Sequence, residues 1–157
     1  MPADTVTPAT RSLMMAAIKG KNTKPELAIR SALHRRGFRF RLHRKDLPGK
    51  PDLVFTGRSA VIFVHGCFWH GHDFHLFRWP KSREAFWRDK IEKNIKRDRG
   101  QYQVLTATGW RIGTVWECAL KGKTHLPFDG VVDQCAIWLK SDIKTLEVSG
   151  DEARATV

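Results

Sequence analysis

The stretch from Pro51 to Phe77, PDLVFTGRSAVIFVHGCFWHGHDFHLF, constrains the fold more than any other part of the sequence. Its first half predicts two short strands, Leu53 to Phe55 and Ala60 to Val64, joined by a turn that contains a glycine. The second strand is an apolar run rich in β-branched residues, which is typical of a strand buried in a sheet. We therefore expect the chain to fold around this hairpin.

Chemically reactive groups follow the second strand directly. Within eleven residues the sequence places four imidazoles, a thiol and two adjacent large aromatic rings: His65, Cys67, Phe68, Trp69, His70, His72 and His75. Asp52 precedes the first strand, so pairing of the two strands brings its carboxylate close to the imidazoles. These groups can then share a metal ion or a water molecule, and we expect the functional site here.

The charge of the chain indicates what kind of partner it binds. Its 157 residues, enough for one domain with its own core, carry a formal net charge of +12. Nucleic acid is the simplest partner for such a surface, because each neutralised phosphate releases counterions. The alternatives are a basic protein without a polyanionic ligand and a binder of anionic membranes. The sequence has neither an apolar run of about 18 residues nor a lipidation signal, which disfavours the membrane.

The cysteines and the N-terminus indicate the compartment. Cys67, Cys118 and Cys135 are an odd number, and residues 1–12 lack the apolar segment of a signal peptide. We therefore expect a cytoplasmic protein whose cysteines are buried or bind a metal rather than form a disulfide framework.

Helical and strand patterns alternate along the rest of the chain. They predict an α/β fold in which a mixed central sheet is flanked by helices. The predicted helices cover Arg11 to Lys19, Thr23 to Arg36, Arg83 to Thr108 and Val131 to Lys140, and further strands cover Phe38 to His43 and Trp110 to Trp116. In the second helix Leu27, Ile29 and Leu33 are expected to face the core, and Gly100 is a potential break in the third. The predicted organisation is a flexible arm over residues 1–9, a single domain over residues 10–147 and a frayed tail over residues 148–157.

Asp52 is a candidate for catalysis, because many metal-dependent nucleases open a strand with Pro-Asp and carry a second acid and a lysine on the next strand. That strand ends here in Phe63-Val64-His65, so both of these partners are missing. Mg²⁺ can instead bind the Asp52 carboxylate, water and a main-chain carbonyl, for which Val64 is well placed. His65 and His70 then become candidates for proton transfer, since imidazole titrates near neutral pH. The alternatives are a strand-start cap for Asp52 and structural roles for the histidines.

A second group, Cys67, His72 and Cys118, has the ligand types that favour tetrahedral Zn²⁺. Asp73 and His75 are the nearby candidates for a fourth ligand. On spacing alone, two buried thiols and a surface histidine explain these residues equally well.

Aromatic and basic side chains near these groups suit contact with nucleic acid. Phe68 and Trp69, with Trp87 on the predicted long helix, can stack on bases or wedge between base pairs; alternatively they form a small core over the loop. Lys90 and Asn94 on that helix suit contacts to phosphates and base edges, although a charged helix face is often only solvated. Two further acids can orient a histidine or hold metal-bound water: Asp98 and Glu26.

Four segments taken together resemble one known family: LPGKPDLVF, FVHGCFWHGHD, REAFWRDKIEKNIKRD and GWRIGTVWECAL. They resemble the very-short-patch repair endonucleases, which are bacterial DNA mismatch endonucleases with the restriction-endonuclease-like fold. The match extends from about Thr10 to Leu120, and its HGCFWH segment is highly specific. The resemblance implies Mg²⁺-dependent nicking of one DNA strand 5′ to the thymine of a T·G mismatch, which arises when 5-methylcytosine deaminates within a methyltransferase site.

The resemblance also implies roles for individual residues. Asp52 corresponds to the metal-binding catalytic acid, Val64 supplies its main-chain carbonyl to the metal, and His70 is the general base. The supporting groups of the site are His65, Asp98 and Glu26. The wedge that enters the duplex next to the mismatch is Phe68, Trp69 and Trp87, and the helix positions facing the mismatched pair are Lys90 and Asn94.

The chain departs from the family's pattern at two positions. Val64 stands where the family usually has a hydroxyl-bearing residue, a change that a main-chain ligand tolerates. Phe74 stands where the family's structural zinc site has a second loop cysteine. We expect a weakened zinc site in which Asp73, His75 or water joins Cys67, His72 and Cys118. Loss of the zinc, with Phe74 filling the space, is the alternative.

Two other functions remain compatible with the sequence. The missing acid and lysine allow a non-catalytic, zinc-containing DNA-binding module, and a restriction-type nuclease would cut both strands of matched duplex. For the mismatch endonuclease we expect a monomer that acts on double-stranded DNA with a T·G mismatch in the bacterial cytoplasm, associated with the nucleoid. Mismatch-repair proteins are potential partners, and the methylated context and the number of catalytic metal ions stay open.

Overall fold

The computed structural model describes residues 23–67, 70–72 and 81–151. These residues form α1 (Lys24–Arg35), β1 (Arg41–Leu42), β2 (Leu53–Phe55), β3 (Ala60–His65), α2 (Glu84–Ala107), β4 (Arg111–Trp116), α3 (Phe128–Leu139) and β5 (Thr145–Val148). One-turn 3₁₀ helices follow β2 (Thr56–Arg58) and β4 (Glu117–Ala119). The predicted α/β class is confirmed, and it is consistent with the restriction-endonuclease-like fold that the resemblance implies.

The five strands lie side by side in chain order. β2 runs antiparallel to both of its neighbours, β1 and β3, whereas β3, β4 and β5 are parallel. Leu53 of β2 pairs with Ile62 of β3, and Val64 pairs with Val115 of β4. The carboxyl ends of β3 and β4 therefore meet at the edge of the sheet where β2 begins.

The central strands are buried on both faces, and their side chains alternate between two cores. One face packs on α1 and α3 through Leu53, Phe55, Ala60 and Ile62. The other face packs on α2, and Val54, Val61 and Phe63 form one buried cluster with Leu105 of that helix. This double burial explains why β3 is a nearly continuous apolar run.

The helix α1 begins at a capped threonine. The Thr23 hydroxyl accepts a hydrogen bond from the Glu26 N–H at 3.4 Å, and the helix ends before Gly37, whose φ of 94° is left-handed. Ile29 and Leu33 are buried as predicted, but the prediction for Leu27 is wrong, because its side chain is 40% exposed. The inward stripe of this helix runs through Glu26, Ile29 and Leu33, and position 27 lies about 100° around the helix from position 26.

Other elements differ from the prediction in extent. The helix α2 continues through Gly100 without a break. The strand predicted from Phe38 to His43 is reduced to two residues, because it is an edge strand and His43 leaves the extended region with a φ of 47°. The strand β5 was not predicted, and Val148, which the prediction assigned to the tail, is its last residue and is buried.

Several predicted segments lie outside the described residues: the arm over residues 1–9, the helix from Arg11 to Lys19 and residues 152–157 of the tail. Within the part that is described, no helix has both the length and the apolar character needed to cross a membrane.

Candidate active site

A cavity of about 640 Å³ opens at the edge of the sheet where β3 ends. The first turn of α1, the loop before β2, the end of β3 and the middle of α2 form its walls. The titratable acids and imidazoles in its lining are Glu26, Asp52, His65, His70, Asp98 and Glu117. The cavity therefore brings together predicted site residues that are separated by up to 72 positions in the sequence, from Glu26 to Asp98.

Positive and negative charges occupy different depths of this cavity. Among the described residues, five cations line it, and all but Lys90 are exposed: Lys24, Lys50, Lys90, Arg97 and Lys121. The four described acids in its lining are buried or half-buried: Glu26, Asp52, Asp98 and Glu117. The rim is thus suited to attract an anionic ligand, and the interior is suited to hold a cation.

Asp52 lies immediately before β2 and is fixed by β3. Its Oδ2 accepts a hydrogen bond from the Val64 N–H at 2.6 Å. Because the N–H and C=O of a residue in a strand point to the same side, the Val64 carbonyl also faces the Asp52 side of β3. Burial raises the pKa of Asp52 to about 7, the Val64 hydrogen bond opposes this, and the charge of Glu26 adds to it. A bound cation would favour the charged carboxylate.

Glu26 and His43 complete a cluster around Asp52. His43 Nε2 lies 2.7 Å from Glu26 Oε2 and 3.6 Å from Asp52 Oδ1, and one ligand atom from each residue lies within 4.8 Å of the others. Glu26 was a predicted site residue, whereas His43 was missed. The alternating pattern from Phe38 to His43 marks this histidine only as the last basic position of a strand, and its left-handed backbone takes it out of that strand.

His70 and Asp98 form a second cluster together with His65. His70 Nδ1 lies 2.5 Å from Asp98 Oδ2. An ionised carboxylate only accepts hydrogen bonds, so this contact places a proton on Nδ1 and leaves a lone pair on Nε2. His70 is therefore oriented as a proton acceptor, in the arrangement by which a carboxylate orients a catalytic histidine.

His65 lies against His70 and is buried. The two ring centroids are 3.7 Å apart, and His65 Nε2 lies 3.2 Å from the Tyr102 hydroxyl. Burial lowers the pKa of His65 well below its usual value, and electrostatic interactions with His70 and Arg97 lower it further. His65 is thus neutral near pH 7. Tyr102 was not predicted as a site residue; the signal for it was its spacing of four residues from Asp98, which places both on one face of α2.

The predicted zinc ligands come together beside this cavity. His72 Nδ1 lies 3.4 Å from Cys67 Sγ and 3.6 Å from Cys118 Sγ. Cys67 follows β3 and Cys118 follows β4, so the parallel pairing of these strands juxtaposes the two thiols. The His72 ring stacks on Trp116 with centroids 4.1 Å apart, and the Gly150 N–H, beyond β5, donates to Cys118 Sγ at 3.1 Å.

The chemistry of these donors fits Zn²⁺. Two sulfurs and one imidazole nitrogen within 4.8 Å of one another are three ligands of a tetrahedral site. Burial raises the pKa of the Cys67 thiol to about 12, so a thiolate here depends on a nearby cation. Asp73, Phe74 and His75 lie outside the described residues, and the fourth ligand stays a prediction.

The predicted DNA-contacting residues of α2 share one side of that helix. Lys90 and Asn94 line the cavity, and Asp98 follows one turn later. Trp87 lies one turn before Lys90 and is half-buried, with its ring 5.2 Å from that of Phe86. The loop aromatics Phe68 and Trp69 lie outside the described residues, so their role as a wedge stays a prediction.

The chain is similar to known proteins over most of its length. A family model described as DNA mismatch endonuclease Vsr matches residues 3–76. The DNA mismatch endonuclease Vsr of Escherichia coli (strain K12) is 42% identical over 137 residues, which cover 87% of this chain and 88% of the relative. The type II nicking enzyme V.XorIIP of Xanthomonas oryzae pv. oryzae is 53% identical over 117 residues, covering 74% and 86%. The type II nicking enzyme V.NmeAIP of Neisseria meningitidis serogroup A is 43% identical over 120 residues, covering 76% and 86%.

Proposed function

The chain belongs to the Vsr family of DNA mismatch endonucleases, and we propose that it nicks one strand of duplex DNA 5′ to the thymine of a T·G mismatch in a Mg²⁺-dependent reaction. Deamination of 5-methylcytosine would supply this mismatch. One observation carries the proposal: the Asp52–Val64 pair and the His70–Asp98 pair line the same cavity as the helix positions Lys90 and Asn94.

The donors around Asp52 suit Mg²⁺. A carboxylate and a main-chain carbonyl are the hard oxygen ligands that this ion accepts, with water filling the remaining positions. Asp52 and Val64 would hold the ion, with Glu26 beside them. When bound, the ion would polarise the phosphate and lower the pKa of a water molecule.

His70 is assigned the role of general base. Its Nε2 lone pair accepts the proton of the attacking water, and Asp98 stabilises the imidazolium that forms. The neutral His65 ring next to it adds no positive charge that would oppose this proton transfer.

The residues around the proton-transfer pair have supporting roles. His70 lies between Cys67 and His72 in the sequence, so Zn²⁺ held by those residues and Cys118 would fix the loop that carries the base. Lys90 and Asn94 would contact the mismatched pair. The intercalating wedge would consist of Trp87 and two loop aromatics, Phe68 and Trp69.

A single-turnover nicking assay tests the proposed function. The substrate is a labelled duplex with one T·G pair in a cytosine-methyltransferase site, compared with the matched T·A duplex, in Mg²⁺ or EDTA. We expect a nick only in the mismatched strand and only with Mg²⁺. The Asp52→Ala variant should not nick but should still bind, whereas Asp89→Ala, which changes an exposed acid paired with Lys93, should keep the wild-type rate.

Three results would contradict the proposal. Nicking by Asp52→Ala at the wild-type rate would remove the metal-binding role of that residue. Cleavage of both strands of the T·A duplex would identify a restriction-type nuclease. Binding of the mismatch without cleavage under any divalent metal would identify a non-catalytic DNA-binding module.

A further inference from the structure

We propose that Glu26, His43 and Asp52 bind one divalent transition-metal ion, with His43 Nε2 as a nitrogen ligand, so that this site takes Mn²⁺ in preference to Mg²⁺. The inference rests on the proposed function, because it concerns the metal of the same site. It goes beyond that function in assigning Glu26 and the His43 imidazole to the ion as direct ligands, and in the resulting preference for Mn²⁺.

The distances around His43 are those of ligands on a shared ion. Nε2 lies 2.7 Å from Glu26 Oε2 and 3.6 Å from Asp52 Oδ1. Adjacent ligand atoms of an octahedral ion with bonds of about 2.1 Å lie about 3 Å apart, and the two observed distances bracket this value. Asp52 Oδ2 is engaged by the Val64 N–H, and Oδ1 is the oxygen that faces His43.

The His43 nitrogen also lacks a hydrogen bond. Nε2 is buried and makes no hydrogen bond to any residue in the described ranges, although Glu26 Oε2 is only 2.7 Å away. The two atoms are therefore close, but their relative orientation is not that of an N–H···O hydrogen bond. A buried nitrogen that makes no hydrogen bond is costly, and coordination of a metal by the Nε2 lone pair would remove that cost.

The backbone holds His43 in this position. Its φ of 47° lies in the left-handed region, which non-glycine residues adopt at some cost and which occurs preferentially at functional sites. This conformation ends β1 and places the imidazole between the carboxylates of Glu26 and Asp52, where the His43 side chain is only 12% exposed. Asparagine tolerates the same backbone, so a matched variant is available.

An imidazole ligand changes which metal the site prefers. Mg²⁺ is bound mainly by oxygen donors, whereas the affinity of nitrogen-containing sites rises along the first transition series from Mn²⁺ onward. Mn²⁺ accepts both carboxylate and imidazole. A site with two carboxylates and one imidazole is thus expected to favour Mn²⁺ over Mg²⁺.

Pulsed electron paramagnetic resonance of bound Mn²⁺ tests the assignment. The full-length protein first receives one equivalent of Zn²⁺ to occupy the thiol cluster and is then titrated with Mn²⁺. In the wild type we expect ¹⁴N modulation from a directly bound imidazole, and in His43→Asn we expect this modulation to be lost. His43→Asn should also bind Mn²⁺ at least about tenfold more weakly, whereas its affinity for Mg²⁺ should change little. His65→Gln and His70→Gln remove the two imidazoles that line the cavity among the described residues and should keep the modulation.

Persistence of the ¹⁴N modulation in His43→Asn would overturn the proposal, as would Mn²⁺ binding without nitrogen or no Mn²⁺ binding in the wild type. Thermal unfolding verifies that each variant is folded, and His43→Gln serves as the second variant if His43→Asn is not. Nicking of the T·G duplex is measured in parallel. Mg²⁺-dependent nicking without nitrogen-bound Mn²⁺ would refute only the role of His43, and nitrogen-bound Mn²⁺ without nicking would refute only the proposed function.

Discussion

The half-buried carboxylate of Asp52 lies beside a second acid, Glu26, and accepts a hydrogen bond from the N–H of Val64. Burial and the neighbouring charge raise its pKa to about 7, whereas an aspartate in an unfolded chain has a pKa of about 4. Without a metal, the folded protein therefore binds a proton at Asp52 more tightly than the unfolded protein does. This single residue makes the stability of the metal-free protein depend on pH.

The sign of this dependence follows from proton linkage. Between about pH 4 and pH 7 the unfolded chain has lost the Asp52 proton and the folded chain retains it, so stability falls as the pH rises through this range and levels off above it. In EDTA we expect the wild-type Tm to fall from pH 5 to pH 7.5 by several degrees more than that of Asp52→Asn, since each pKa unit corresponds to about 1.4 kcal/mol. Calorimetric scans of both proteins in the same buffers measure the difference, and parallel Tm curves would contradict the raised pKa.

At the scale of secondary structure elements, the sequence predicted those that are long or buried. The apolar run of β3 and the helices α1 and α2 were identified within one residue at each end. The edge strands were predicted less well. The strand predicted from Phe38 to His43 is reduced to Arg41–Leu42, and β5 was missed, because its sequence TLEV follows a lysine and has two exposed polar residues. What holds β5 is its parallel pairing with β4, a contact distant in sequence that no local pattern expresses.

The residues of the candidate site also fall into two groups, those that the sequence identifies and those whose place depends on packing. Asp52, His65, Cys67, His70 and His72 were identified because reactive residue types are concentrated next to one hairpin. Their partners Asp98 and Tyr102 come from α2, and their distances depend on how that helix packs on the sheet. Their contacts therefore could not be read from spacing alone.

A buried guanidinium joins three elements of the fold. Arg111, the first residue of β4, is 9% exposed and donates to four main-chain carbonyls. Two of these belong to Trp138 and Leu139 at the end of α3, and the others to Ile143 and Arg58. Arg111 thus binds the last carbonyls of α3 and ties this end of the helix to the loop before β5 and to the turn after β2.

Replacement of this residue should destabilise the domain. In Arg111→Met the carbonyls lose a charged donor with a fork geometry that few other side chains offer, and we expect a loss of about 2–4 kcal/mol in the free energy of unfolding. Arg99→Met, a change of an exposed arginine on α2, should shift it by less than about 0.5 kcal/mol. Urea denaturation of the two variants provides the comparison, and equal stability would mean that Arg111 is not a structural tie.

At the scale of the whole molecule, the charge of the chain and the depth of its acids act together. A net charge of +12 attracts DNA from a distance. If the surface were uniformly basic, the same positive charge would repel a divalent cation. The cavity resolves this conflict, because its exposed cations, such as Arg97 and Lys121, surround buried acids. Phosphates can then be neutralised at the rim while a metal is held inside.

This arrangement predicts how DNA binding responds to salt. The association constant should fall steeply with salt, with a logarithmic slope of about −0.9 for each phosphate neutralised. If Arg97 contacts a phosphate at the rim, Arg97→Ala should make this slope shallower by about 0.9. Lys144 is an exposed cation that is not among the described residues lining the cavity, so Lys144→Ala should leave the slope unchanged. Fluorescence anisotropy in the Asp52→Ala background measures both variants on intact DNA. Equal slopes for the two would mean that the rim does not carry the phosphate contacts, and a slope near zero for Asp52→Ala itself would remove the electrostatic basis of binding altogether.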